Sequence, residues 1–120
     1  MQTLNTLLSY IATLGRFMVA VIYSTMGSIQ DARRIAHTLV EEQLVACVNI
    51  IPKIESVYKW KGKIENDEEV VLIAKTTDKN VKKTIKKIKS LHSYDLPDII
   101  VLPIIGGLKD YLEYITNETS

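Results

Sequence analysis

The chain of 120 residues has one cysteine, one tryptophan, two histidines and three prolines, and its 15 basic and 14 acidic side chains leave a formal charge of only +1. Each scarcity excludes something. A lone thiol, Cys47, cannot close an internal disulfide, which argues for a reducing, cytoplasmic setting and leaves the sulfur to packing, metal ligation or redox chemistry. A charge this close to neutral gives no long-range attraction to nucleic acid or anionic lipid, so any charge effect has to be local. No run of about 18 apolar residues is present, so no membrane-spanning helix is expected. There is no CxxC or HxxxH pair, which removes the common metal motifs. Arginine occurs only at 16, 33 and 34, and the last two fall inside a helical pattern, so no anion-binding loop for acyl or phosphoryl chemistry is in sight.

What remains is one average globular domain, 47% apolar and 24% charged. Residues 1–17 stand apart, with no acidic side chain and leucines at helical spacing, and they read as a leader or extension. A secretory signal is rejected, because Arg16 follows the apolar run instead of preceding it. Residues 18–120 read as the domain proper. Met18 to Thr25 is β-branched and apolar, as a strand buried on both faces requires. Ser28 is placed to cap a helix carrying Ile29, Ala32, Ile35, Ala36, Leu39 and Val40 on one side.

From Val45 the period changes to two. Ala46, Val48, Ile50, Ile54, Tyr58, Trp60 and Ile64 share one phase, which predicts a long strand with one dry face. About 20 extended residues span on the order of 65 Å, far more than a domain this size accommodates. Pro52 is therefore expected to bend the strand, and the part beyond it to project as an arm covered by another subunit. Asn66 to Glu69 reads as the turn, Val70 to Thr76 as the returning strand, and Asp78 as the cap of a helix with Val81, Ile85 and Ile88 inward. Ile99 to Ile104 makes a fourth strand, and Leu108 to Ile115 an amphipathic tail. The order βαββαβ, with right-handed crossovers, is the ferredoxin-like split βαβ sandwich of the α+β class.

The string ACVNIIPKIESVYKWKGKIE, residues 46–65, together with Lys75-Thr76 and the segment LHSYDLP at 91–97, resembles the CutA family of divalent-cation-tolerance proteins. The resemblance runs from about Val19 to Tyr114. It implies a ferredoxin-like fold, a homotrimer whose long hairpins pair across subunits in a PII-like architecture, and an association with copper and other divalent metals. No enzymatic activity and no organic cofactor are implied. Two departures are visible: Ser93 stands where the family usually has proline, and Tyr114 lies where a tryptophan is common.

For metal, the candidates are His92 and Cys47. Copper(II) suits imidazole, yet His92 also fits a helix C-terminus, and Cys47 also fits as a small buried hydrophobe. For an intersubunit pocket, the matched positions are Glu55, Tyr58, Trp60, Glu65, Lys75 and Tyr94, which serve equally as interface anchors and cross-strand pairs. RNA binding is not expected, because the strand 70–76 carries no aromatic residue for base stacking. The expected function is metal tolerance by a metal-binding homotrimer. The alternatives are a PII-like sensor holding a small anionic ligand in the cleft, and a stable trimer that docks onto a protein partner.

Overall fold

Val19–Met26 forms strand β1, and its residues from Ala20 to Met26 on the even positions are almost wholly buried, as the apolar run requires. The computed structural model describes residues 18–119; the extension expected at 1–17 lies outside them. Helix α1 follows at Ile29–Glu41, strands β2 at Cys47–Trp60 and β3 at Lys63–Thr77, helix α2 at Asp78–Leu91, strand β4 at Ile99–Pro103 and helix α3 at Lys109–Glu118. The sheet order is β2-β3-β1-β4, with every pairing antiparallel. This is the ferredoxin-like arrangement. Two crossovers of the same hand place α1 and α2 on one face.

The core lies between those helices and the even-numbered sheet positions. Ile22, Leu72 and Ala74 meet Ile35, Leu39 and Ile88 there, all fully buried. Ser28 caps α1 as expected, its hydroxyl accepting from the Asp31 amide at 3.1 Å. The inward face of α2 is rotated from the one expected. Its buried residues are Asn80, Thr84 and Ile88, while Val81 and Ile85 are half-buried. The two polar side chains belong inside because they satisfy carbonyls beyond their own helix. Asn80 donates to Thr119 O at 2.9 Å and Leu44 O at 3.3 Å, and the Thr84 hydroxyl lies 3.4 Å from Leu44 O and 2.8 Å from Asn80 O one turn back. Thr77, not Asp78, is the residue at the N-cap, and no side chain caps that helix.

The hairpin turns earlier than the sequence suggested. Trp60 pairs with Lys63, and Lys61 and Gly62 both take left-handed φ, 51° and 80°. That is the two-residue loop whose twist matches paired strands. Asn66 to Glu69 is consequently strand, and Ile64, expected on the dry face, is 78% exposed. Pro52 does mark an irregularity. The register with β3 shifts between Ile51 and Ile54, so one extra residue of β2 is accommodated as a bulge.

Helix α3 lies against the face opposite α1 and α2. Ile115 packs with Val19, Thr119 bonds Thr77 at 3.3 Å, and Tyr111 reaches Lys75 at 3.2 Å. Those are odd-numbered sheet positions, which alternate away from the core. One end of this second face is thus covered, and the rest stays open.

Candidate functional site

The bulge decides which side chains meet on the open face. Before it, Val48 pairs with Ala74 and Ile50 with Leu72, both on the helix side. After it, Ile54 pairs with Glu69, Ser56 with Asp67 and Tyr58 with Glu65. Even-numbered residues of β2 therefore pass to the opposite face at Pro52 and Lys53. The single phase expected from Ala46 to Ile64 is corrected accordingly. Alternation in the sequence runs on unbroken, but the extra residue reverses its meaning.

Tyr58 and Trp60 thereby come together with Tyr23 of β1 and Tyr94 of the loop before β4. They line a cavity of about 680 Å³ whose other wall carries Asp67, Glu69, Asp95 and Asp98. Thr25 holds the floor. Its hydroxyl lies 2.6 Å from Asp98 Oδ2 and 3.1 Å from Glu69 Oε2, and its amide donates to Asp98 Oδ1 at 3.2 Å. Tyr94 donates to Glu69 Oε2 at 2.7 Å. Burial, reinforced by that bond to Glu69, raises the Tyr94 pKa well above the ordinary phenol value. Tyr58 donates to Asp67, and this bond is the main reason that its pKa is pushed up to about 12.

Of the six positions expected in a pocket, Tyr58, Trp60 and Tyr94 line this cavity. Glu65 is paired with Tyr58, and Glu55 sits opposite Glu68 on the outer part of the arm. Lys75 is elsewhere: six residues along β3 from Glu69, roughly 20 Å. There it forms a separate group with Cys47, its cross-strand partner, and Tyr111. Tyr111 Oη is 3.8 Å from Cys47 Sγ. The hydrogen bond to Tyr111 is the largest influence on Lys75 and raises its pKa.

The two metal candidates are not neighbours within one chain. His92 accepts the Tyr94 amide proton on Nδ1 at 3.1 Å, so Nε2 carries the ring proton and donates to Thr25 O at 2.7 Å. Both nitrogens are engaged. Cys47 lies half-buried at the far end of the sheet. Among the described residues no group of three or more His, Cys, Asp or Glu side chains converges on a point where a metal ion could sit.

Sequence reasoning missed Thr25, Asp67, Glu69 and Asp98. The signal was present: Glu65, Asp67 and Glu69 alternate in phase with Val71 and Ile73, as residues of one continuous strand should. The cluster of polar residues masked it by imitating a turn.

Residues 20–118 match the sequence model of the CutA1 divalent ion tolerance protein family. The chain belongs to this family. The divalent-cation tolerance protein CutA of Thermus thermophilus is 42% identical over 102 residues, covering 85% of this chain and 99% of the relative. Its solved structure superimposes with a TM-score of 0.84 over 86% of this chain and 100% of the other. A CutA structure from Archaeoglobus fulgidus, at 40% identity, gives 0.83 over 86% and 100%. The chloroplastic CutA of Arabidopsis thaliana is 42% identical over 99 residues, 82% of this chain. This chain spans little more than half the length of the plant relatives, 54% of that protein and 56% of the rice protein.

These relatives overturn the cytoplasmic expectation. CutA proteins are described as chloroplastic in Arabidopsis and rice and as periplasmic in Archaeoglobus. The lone cysteine was a poor guide, because a chain with one thiol has no internal disulfide in any compartment. The CutA family is named for tolerance of divalent ions and not for a reaction.

Proposed function

We propose that this CutA chain acts in divalent-cation tolerance as a homotrimer that binds divalent metal, chiefly copper, without catalysing a reaction. The observation that carries the assembly is the arm. Val57 is 64% exposed and Ile64 78%, Tyr58 and Trp60 are also exposed, and Ile100 and Leu102 on the edge strand β4 add to the apolar surface. Soluble monomers rarely leave so much uncovered. Both edge strands, β2 and β4, also offer unpaired backbone groups to another chain.

For metal, the support is the family together with the scatter of ligands. With no convergent group among the described residues of one chain, a multidentate site draws on more than one subunit. Cys47, whose sulfur has only the longer contact of 3.8 Å to Tyr111 Oη to give up, is the better donor of the two candidates, since His92 holds hydrogen bonds of 2.7 Å and 3.1 Å on its two ring nitrogens. The charge of the cavity runs against the sensor of a small anion: four carboxylates and no lysine, arginine or histidine line it.

Native mass spectrometry with stepwise copper(II) tests this reading on the full chain, Cys47→Ser and His92→Ala. Copper taken up in equal steps by a trimer, and lost in Cys47→Ser, supports it. A trimer that takes up no copper contradicts the metal assignment.

A further inference from the structure

The chain's near-neutral charge is unevenly spread. Helix α2 carries six lysines against one aspartate, a net +5, while the whole chain nets +1, so the remainder is net −4. At 3.6 residues per turn, Lys79, Lys82, Lys83, Lys86 and Lys89 fall within an arc of about 120° and run about 15 Å along the axis. All five are exposed, and they lie opposite Asn80, Thr84 and Ile88, which are buried against the rest of the fold. The sixth, Lys87, is turned sideways to Glu42 at the end of α1, at 3.0 Å. The stripe therefore occupies the outer face of the helix layer, across the sheet from the acidic cavity and away from the arm and both edge strands. Such a stripe works against the helix that bears it. Lys79 and Lys83, like Lys82 and Lys86, are equal charges one turn apart, and Lys79 lies in the first turn, where the helix dipole disfavours a cation. Among the described residues no carboxylate forms an ion pair with Lys82, Lys83, Lys86 or Lys89. An anion laid along the stripe relieves this repulsion.

We propose that this stripe binds linear polyphosphate, an unbranched chain of phosphate units with neither bases nor acyl tails. Neither α1 nor α2 contains Phe, Tyr or Trp, so nothing in the layer can stack a nucleic-acid base. Only Ser90 shares the arc with the lysines, so no apolar side chain is there to enter a bilayer. The stripe is also narrow, one helix wide, with carboxylates at Asp78 and Glu42 on its borders. A flat membrane or a thick duplex meets those carboxylates as well, whereas a thin flexible chain follows the lysines alone. Lysine presents a compact point charge that suits successive phosphates without demanding one geometry. Residues 1–17 of the chain itself have no acidic side chain and lack the charge to serve as the occupant. The inference goes beyond metal tolerance and needs neither Cys47, His92 nor the arm.

Fluorescence anisotropy of end-labelled linear polyphosphate, titrated with the full chain, tests the proposal. Saturable binding is expected at low salt, weakening as salt is raised. Glutamine matches lysine in helix propensity, so the double variant Lys82→Gln/Lys86→Gln keeps its fold. It binds at least about fivefold more weakly, as expected when two exposed charge contacts are lost. The slope of log affinity against log salt becomes shallower by at least about 1.4, at about 0.7 for each phosphate contact removed. Lys109→Gln takes an equally exposed charge from α3 and leaves affinity within about twofold. A double variant no weaker than Lys109→Gln overturns the proposal, as does the absence of saturable binding by the full chain. Polyglutamate, duplex DNA or phosphatidylserine vesicles that displace the polyphosphate at equal charge concentration overturn it too, because the stripe then belongs to a different polyanion.

Discussion

Thr25 carries one hydroxyl proton, and carboxylate oxygens of Asp98 and Glu69 both lie within reach of it. Replacing it by the isosteric valine removes the shared donor and leaves a buried carboxylate with Tyr94 alone. Thr25→Val is expected to cost about 1–3 kcal/mol in urea unfolding, the usual penalty for orphaning a buried acceptor. Tyr94 gives a pH signature. Its pKa in the folded state is raised above the ordinary value of 10.0, so the folded chain holds the phenol proton more tightly than the unfolded one. The resulting stability is complete below pH 10 and is lost as pH rises towards the folded value. Tyr94→Phe should therefore flatten the fall in stability above pH 10, followed by urea midpoints from pH 8 to 11. At this scale the sequence was readable where a residue acts on its immediate neighbours, as Ser28 does on Asp31. It was opaque at Asn80 and Thr84, whose burial depends on carbonyls of Leu44 and Thr119 that are distant in sequence.

Among the elements, the hairpin is the most exacting. Gly62 at φ 80° sits in a region where a Cβ brings strain. Gly62→Ala should cost about 1 kcal/mol, whereas Gly106→Ala, with open space around it and no such backbone demand, should change stability by less than about 0.5 kcal/mol. Paired thermal melts distinguish them. Helix α3 depends on Asn80, which holds the Thr119 carbonyl from below. Asn80→Ala should speed amide exchange across Lys109–Glu118 before it affects β1 or β3. The strands, their order and the helices could all be anticipated from periodicity. The turn at Lys61-Gly62 could not, because Trp60, Gly62 and Ile64 keep the alternation running through it. The bulge was expected at Pro52, but its consequence was not: the face that each later residue occupies is set by pairing with β3, which no single strand's pattern contains.

For the whole molecule, the ferredoxin-like sheet leaves one face only partly covered. Helix α3 closes the end bearing Cys47 and Lys75, and the acidic, aromatic cavity occupies the other. That division explains why, within one chain, three of the residues expected in an intersubunit pocket meet and Lys75 lies apart from them. It also explains why the arm, which departs from the core after the bulge, presents tyrosine, tryptophan, valine and isoleucine to the outside. Further copies of the same chain are expected to cover these side chains. Sedimentation equilibrium of the full chain, repeated from high to low micromolar concentration, is the decisive test. A single species at three times the chain mass of 13.6 kDa is expected throughout; a species of one chain mass across that range rules the assembly out.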